Sequence, residues 1–374
     1  QPILLFIKGI TMNKTIIAVS IICSLTTAKY CVANDFHTQP KLNNPISQVL
    51  NSLGSNCQDF KVDTQSDHVF EISDHHQAFE LSHKWSNGSH TAFIAHSETS
   101  SGDLGQILTF NASSNAFNSN DEISSNSTLA LRDKIRISEQ HPSGIAWLRA
   151  PNNEDEGYLF IASENEIKVR VRKFNATTDL GQAAELQQTE LNKITDVWLA
   201  QIDNTTWLIL HHMGEAKGVA YKADSERLFQ YNTPQEGIID ITAFERVNTY
   251  NTAKNTDCNS VGQNAQLVQD SNNNWFVVHS YTGGTVCGAN IGDNHVNAYP
   301  VSFNNNTAFS VSTSAPAVKT ILGRANGPTD PGADGASGFR VNESGQLIAY
   351  LGAQYAYSSL FNWKSALREC RSSK

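Results

Sequence analysis

The chain has 374 residues, 39% of them apolar and 17% charged, with a formal charge of -9 and a pI near 5.7. That balance excludes wholesale disorder, and with no Lys/Arg cluster interleaved with aromatics it argues against nucleic acid as a partner. Length alone leaves the domain count open, because a single all-β domain commonly exceeds 200 residues.

The first element is a targeting segment. From Met12, "MNKTIIAVSIICSLTTAKYCVAN" has Lys14 as a positive start, Ile16 to Leu25 as a short apolar core, and Cys31-Val32-Ala33 as a small-residue cleavage site. The mature chain is therefore expected to begin near Asn34, secreted or periplasmic, with residues 1–11 read as in-frame upstream translation. The apolar core falls far short of a roughly 20-residue span, so no membrane span is expected in the mature chain. Four cysteines remain after cleavage: Cys57, Cys258, Cys287 and Cys370. An even number in an exported chain points to disulfides, with three possible pairings. The preferred one joins Cys258 to Cys287 across one long loop and Cys57 to Cys370 across the chain ends. No CxxC pair argues for zinc or redox chemistry.

Next, "NNPISQVLNSLG" predicts a short helix with Asn44 as cap, Pro45 in the first turn, apolar residues at 46, 49, 50 and 53, and Gly54 at its end. The following "QDFKVDTQSDHVFEISD" (58–74) reads as an outer strand that closes a ring, or as part of a degenerate sixth repeat.

Then a unit recurs. Its middle strand appears as "AFIAHSE" (92–98), "LFIASE" (159–164), "WLILHH" (207–212), "WFVVHS" (275–280) and "LIAYLG" (347–352), each after a strand and a polar turn. Short apolar runs bounded by Asn, Asp and Gly turns mark strands buried on both faces. Five such meanders, roughly 50 to 70 residues apart, predict an all-β fold, a β-propeller with five blades and six as the alternative. The expected division is 1–33 for upstream residues and signal, 34–78 for the helix and ring-closing strand, and 79–374 for the propeller. The order "HPSGIAWL", "LFIASE", "VRVRKF", "NAQLVQDSNNNWFVVHS", "NHVNAYPVSF" and "SGFRVNESGQLIAYLGAQ" resembles a group of secreted, propeller-like bacterial proteins of uncharacterised function. The resemblance covers most of residues 79–363. It implies fold and export, and no activity.

Consecutive strands of a blade are antiparallel, so the innermost strand starts and the second strand ends on one rim, where a propeller offers a concave site. The starts of the inner strands supply His141 and Ser143, Asp196, Asn264 with Gln266, and Asp334, a set able to hydrogen-bond a sugar or small polar ligand. The glycines of "HPSG" and "DGASG" have a packing explanation at a crowded axis. The ends of the second strands align His96, Ser163, His211, His279 and Tyr350. Three imidazoles at one repeat position make His96, His211 and His279 a candidate metal set, against which stands the distance that five-fold spacing imposes. Asp330 and Asp334 lack the register of a calcium loop. Trp85, Trp147, Trp198, Trp207, Trp275 and Trp363 read as core residues between sheets, with sugar-stacking platforms as the alternative for any that are exposed.

Together these features predict an exported binding or scaffold module with its ligand site at the channel rim. Its partner would be a carbohydrate, a small polar ligand or another extracellular protein, and its cofactor is unassigned. One alternative is an extracellular glycoside-active enzyme using two carboxylates drawn from Asp196, Glu164, Glu98 and Asp334. Another is a protein-interaction module using the outer loops. No GxSxG elbow, HExxH helix or phosphate-cradling loop is present, so no catalytic residue is assigned and the reading leans away from an enzyme.

Overall fold

The computed structural model describes residues 40–64, 75–97, 104–117, 122–137, 141–151, 153–231, 237–253, 265–283, 291–304, 307–314, 316–327, 329–354, 357–359 and 362–374. The expected signal segment, Glu98, Asn264 and the proposed Cys258–Cys287 bridge lie outside the described residues.

The strands pair into a five-bladed β-propeller. Blade 1 is His75–Leu81, His90–Ser97, Gln106–Ala112 and Thr128–Arg136. Blade 2 is Pro142–Arg149, Glu156–Ser163, Lys168–Asn175 and Asp179–Gln187. Blade 3 is Asp196–Ile202, Thr205–His212, Lys217–Asp224 and Glu245–Asn251. Blade 4 is Gln266–Gln269, Trp275–Gly283, Ile291–Ser302 and Val318–Asn326. Blade 5 takes Gly338–Val341, Leu347–Gly352 and Asn362–Arg371 from the end of the chain and its outermost strand, Asn56–Asp63, from near the start.

Five apolar clusters fill the five interfaces between neighbouring blades. Phe93 meets Leu159 between blades 1 and 2, Tyr158 meets Leu208 between 2 and 3, and Trp207 meets Val277 between 3 and 4. Val278 meets Leu347 between 4 and 5, and Phe60 meets Leu108 between 5 and 1. Each sheet is apolar on both faces because each face borders a neighbour, which is why a second strand such as His90–Ser97 is buried along its whole length. Trp85, Trp198 and Trp207 are fully buried, as core residues should be.

The ring closes three times over. On the outer side Asn56–Asp63 pairs with Asn362–Arg371, placing Cys57 opposite Cys370, and the two form a disulfide. The same strand pairs in parallel with blade 1 through Lys61 and Thr128. At the axis the Phe79 amide of blade 1 donates to the Ser337 carbonyl of blade 5. The described part of the predicted segment, within Asn56–Asp63, therefore closes the ring, and the described residues form five blades; residues 65–74 of that segment lie outside them.

The helix runs Ile46–Leu53 and buries Ile46, Val49, Leu50 and Leu53 against blades 4 and 5. Its cap differs from expectation. Pro45 is the capping residue and has no side-chain donor or acceptor, so Asn44 does not cap. Asp270, from a turn of blade 4, instead accepts the Ile46 amide at 3.3 Å, which ties the helix to the disc. Among the described residues no helix is long and apolar enough to cross a membrane.

Candidate functional site

The rim where inner strands start gathers a polar cluster from blades 1 and 2. Hairpin register sets it up: His76 faces His96 and Pro142 faces Ser163, so Glu164, the next residue, falls beside His141. The Glu164 amide donates to the His141 carbonyl at 3.0 Å, and its Oε1 lies 3.6 Å from His141 Nε2. Gln77 Nε2 sits 2.7 Å from His141 Nε2 and 2.5 Å from His75 Nε2, joining the two rings, which meet edge to face. About a fifth of the His141 and Glu164 side chains stays open to solvent (20% and 21%).

Burial decides their charge. It lowers the His141 imidazole to about 4, with His75 and Lys193 adding to the effect. It raises the Glu164 carboxyl above the usual carboxylate range, against the opposing pull of Lys193, His75 and His212. The mouth thus holds a neutral imidazole next to a carboxyl biased toward its acid form, the arrangement a proton donor needs.

The residues picked out in the sequence have different stations. His141 is at the mouth. Asp334 is on the same rim, in the turn before the inner strand of blade 5, and its Oδ1 accepts the Thr282 amide at 3.1 Å. Asp196 is fully buried: its carboxylate accepts the Val197 amide, the Trp198 indole N–H at 2.5 Å and the Ala265 amide at 2.8 Å, stapling blade 3 to blade 4. Ser143, also fully buried, donates to the Ile194 carbonyl at 3.4 Å. Gln266 lines a cavity that opens at the far ends of the inner strands. Asp196 and Ser143 therefore hold blades together, because their side chains point between sheets rather than into the channel.

The three aligned histidines are dispersed in the same way. His96 packs on His76, His211 stacks on Trp198 and Tyr250, and His279 stacks on Tyr281 and Tyr299. Among the described residues no group of three His, Cys, Asp or Glu side chains could hold a metal ion.

The glycines of the two motifs act as packing predicts. A Cβ on Gly144 would lie 2.4 Å from Asp196 Oδ1, and one on Gly338 would overlap the Phe79 carbonyl. His75 and Gln77 lie ahead of residue 79, where the repeat pattern alone places the start of blade 1. The polar start of "HHQAFEL" and its pairing with "AFIAHS" are the signals that extend the strand back to them.

Neither a protein-family model nor a curated protein matches the sequence. Among solved structures the chain is similar to an exo-β-1,3-galactanase from Clostridium thermocellum, at 11% identity over 72% of this chain and 55% of that one, TM-score 0.42. It is similar to a glycoside hydrolase family 43 enzyme from Xanthomonas citri, at 9% identity over 85% and 92%, TM-score 0.42. It is also similar to an α-L-arabinofuranosidase from Podospora anserina in complex with cellotriose, at 11% identity over 86% and 99%, TM-score 0.39. The chain spans about half the length of the galactanase. The fold rests on the strand pairing and the five interblade cores described above.

Proposed function

We propose that the protein is an exported, carbohydrate-active propeller that holds a sugar at the rim where the inner strands start and cleaves a glycosidic bond there. Glu164 is the proton donor and Asp334 the second carboxylate. The observation that supports this most is the pairing of Glu164 with His141 at an open mouth, the carboxyl biased toward its acid form and the imidazole neutral. Glycoside cleavage needs two carboxyl groups in different states, one protonating the leaving oxygen and one acting as a carboxylate on the opposite side. Asp334 is on the same rim and is oriented by the Thr282 amide. His75 and His141, positioned by the buried Gln77, supply hydrogen-bonding groups for sugar hydroxyls. The disulfide between the chain ends supports export, since such bonds persist in oxidising compartments.

A second reading, binding without cleavage, is favoured by one observation: Asp196, one of the four acidic candidates in the sequence, is committed to joining blades. Arabino- and galacto-oligosaccharides make the first panel, the substrate classes named for structures of similar trace. Binding by calorimetry and product release by chromatography are measured on wild type and Glu164→Gln. Cleavage by wild type, about 100-fold or more slower in Glu164→Gln with affinity retained, is the expected result. Binding by both with cleavage by neither selects the binding reading, and failure to bind any member of the panel overturns both.

A further inference from the structure

The inner strands end at the opposite mouth, where a cavity opens. From His75 to Glu80 the first inner strand travels roughly 16 Å at about 3.3 Å per residue, so this mouth is remote from Glu164. The cavity encloses about 270 Å³ and is lined from all five blades: Glu80, Trp147 with Arg149, Gln201, Gln266 and Arg340. Arg340 is held by donating its Nε hydrogen to the Tyr350 hydroxyl at 2.9 Å. Trp147 donates its indole N–H to His83 Nδ1 at 3.0 Å and stacks on Phe93, so the aromatic wall is fixed before any ligand arrives. Burial pushes the Glu80 carboxyl up to about 8, against the Leu81 amide and Arg340, so at neutral pH it is an uncharged donor, and the other charged lining residues, Lys84, Arg149, Arg340 and Glu343, leave the cavity net positive.

We propose that this mouth is a second ligand site, distinct from the proposed cleavage site, for a sugar acid of single-ring size such as a hexuronate. The carboxylate is taken by the guanidinium groups of Arg149 and Arg340, whose planar forks match carboxylate geometry. The hydroxyls meet Gln201, Gln266 and Glu80, and the sugar's C–H groups lie against the rim of the Trp147 indole that lines the cavity, since the ring itself is packed on Phe93 and Gly157. A neutral sugar forfeits the charge-assisted bonds, so the site selects acids. The inference does not depend on Glu164 being catalytic.

Galacturonate and glucuronate, with galactose, glucose and acetate as controls, are titrated into the mature protein by calorimetry and by tryptophan fluorescence. Uronates are expected to bind at least about tenfold more tightly than the neutral sugars and acetate, and to lose about tenfold in Arg149→Gln and in Arg340→Gln. Glu164→Gln, at the opposite mouth, is expected to bind uronates as wild type does. Because Arg340→Gln also loses the bond to buried Tyr350, thermal melting checks its folding, and Gln201→Trp, which fills the cavity from another blade, gives an independent test by abolishing uronate binding. Equal binding of neutral sugars, wild-type affinity in the arginine and Gln201 variants, uronate binding lost in Glu164→Gln, or no uronate binding at the highest soluble concentration would each overturn the proposal.

Discussion

Asp196 shows what a residue's position in a repeat does and does not reveal. Its place at the start of an inner strand was legible, and so was the crowding marked by Gly144; which way the carboxylate turns was not. Only the neighbouring blade decides that, by presenting the Ala265 amide and leaving room for Trp198 to reach back. The consequence is a stability effect rather than a binding effect. Asp196→Ala strands three buried N–H donors and is expected to cost about 2–4 kcal/mol, read as a lower denaturant midpoint with little change in sugar affinity. Gly144→Ala pushes a methyl against the same carboxylate and is expected to destabilise by at least about 1 kcal/mol, the usual scale of overpacking. Unchanged midpoints in both variants would contradict the interblade role. Glu164 was legible only as one carboxylate among four, because burial and the approach of His141, which set its protonation, are tertiary facts.

At the scale of strands and helices the hydrophobic pattern carried most of the information. A strand buried on both faces reads as an unbroken apolar run, and "LFIAS" and "WLILHH" became the second strands of their blades. The closing strand was also legible, since Cys57 and Cys370 fall opposite one another in its register with the last strand. The helix cap was not, because Asp270 comes from a turn more than 200 residues away and local capping rules look only at neighbours. Closure by a strand from the opposite end of the chain makes this blade the one whose loss opens the ring. The double change Cys57→Ser with Cys370→Ser releases a loop of 313 residues and is expected to lower stability by about 2–5 kcal/mol. Denaturation with and without reductant checks it: wild type should fall to the double variant's midpoint on reduction, and a wild-type midpoint insensitive to reductant would contradict a stabilising bridge.

For the molecule as a whole, buried titratable groups set a pH window. His76, His141 and His279 are held at about 3, 4 and 4 by burial. The unfolded chain takes protons below 6.5 that the folded one refuses, so stability is lost as pH falls from 6.5 toward those values. For His76 and His279 the loss by pH 4 is on the order of 3 kcal/mol each, at about 1.4 kcal/mol per pKa unit. Glu80 acts with the opposite sign: raised to about 8, it is protonated in both states below 4.5 and loses its contribution as pH rises from 4.5 through 8. From 4.5 to 6.5 three imidazoles outweigh that carboxyl, and above 6.5 Glu80 acts without them. Melting temperature is therefore expected to peak near pH 6.5, and Glu80→Gln to flatten the alkaline side; a peak below pH 5 would contradict this balance. The architecture was readable because repetition multiplies a weak signal five times, while the two mouths occur once each and depend on side-chain direction. Whether Glu164 is the proton donor is decided by the rate of oligosaccharide cleavage against pH for wild type and Glu164→Gln. Wild-type activity is expected to decline on the alkaline side with a midpoint above the ordinary glutamate value of 4.5, and the variant to lack that limb and nearly all activity. Cleavage by Glu164→Gln at the wild-type rate would contradict it.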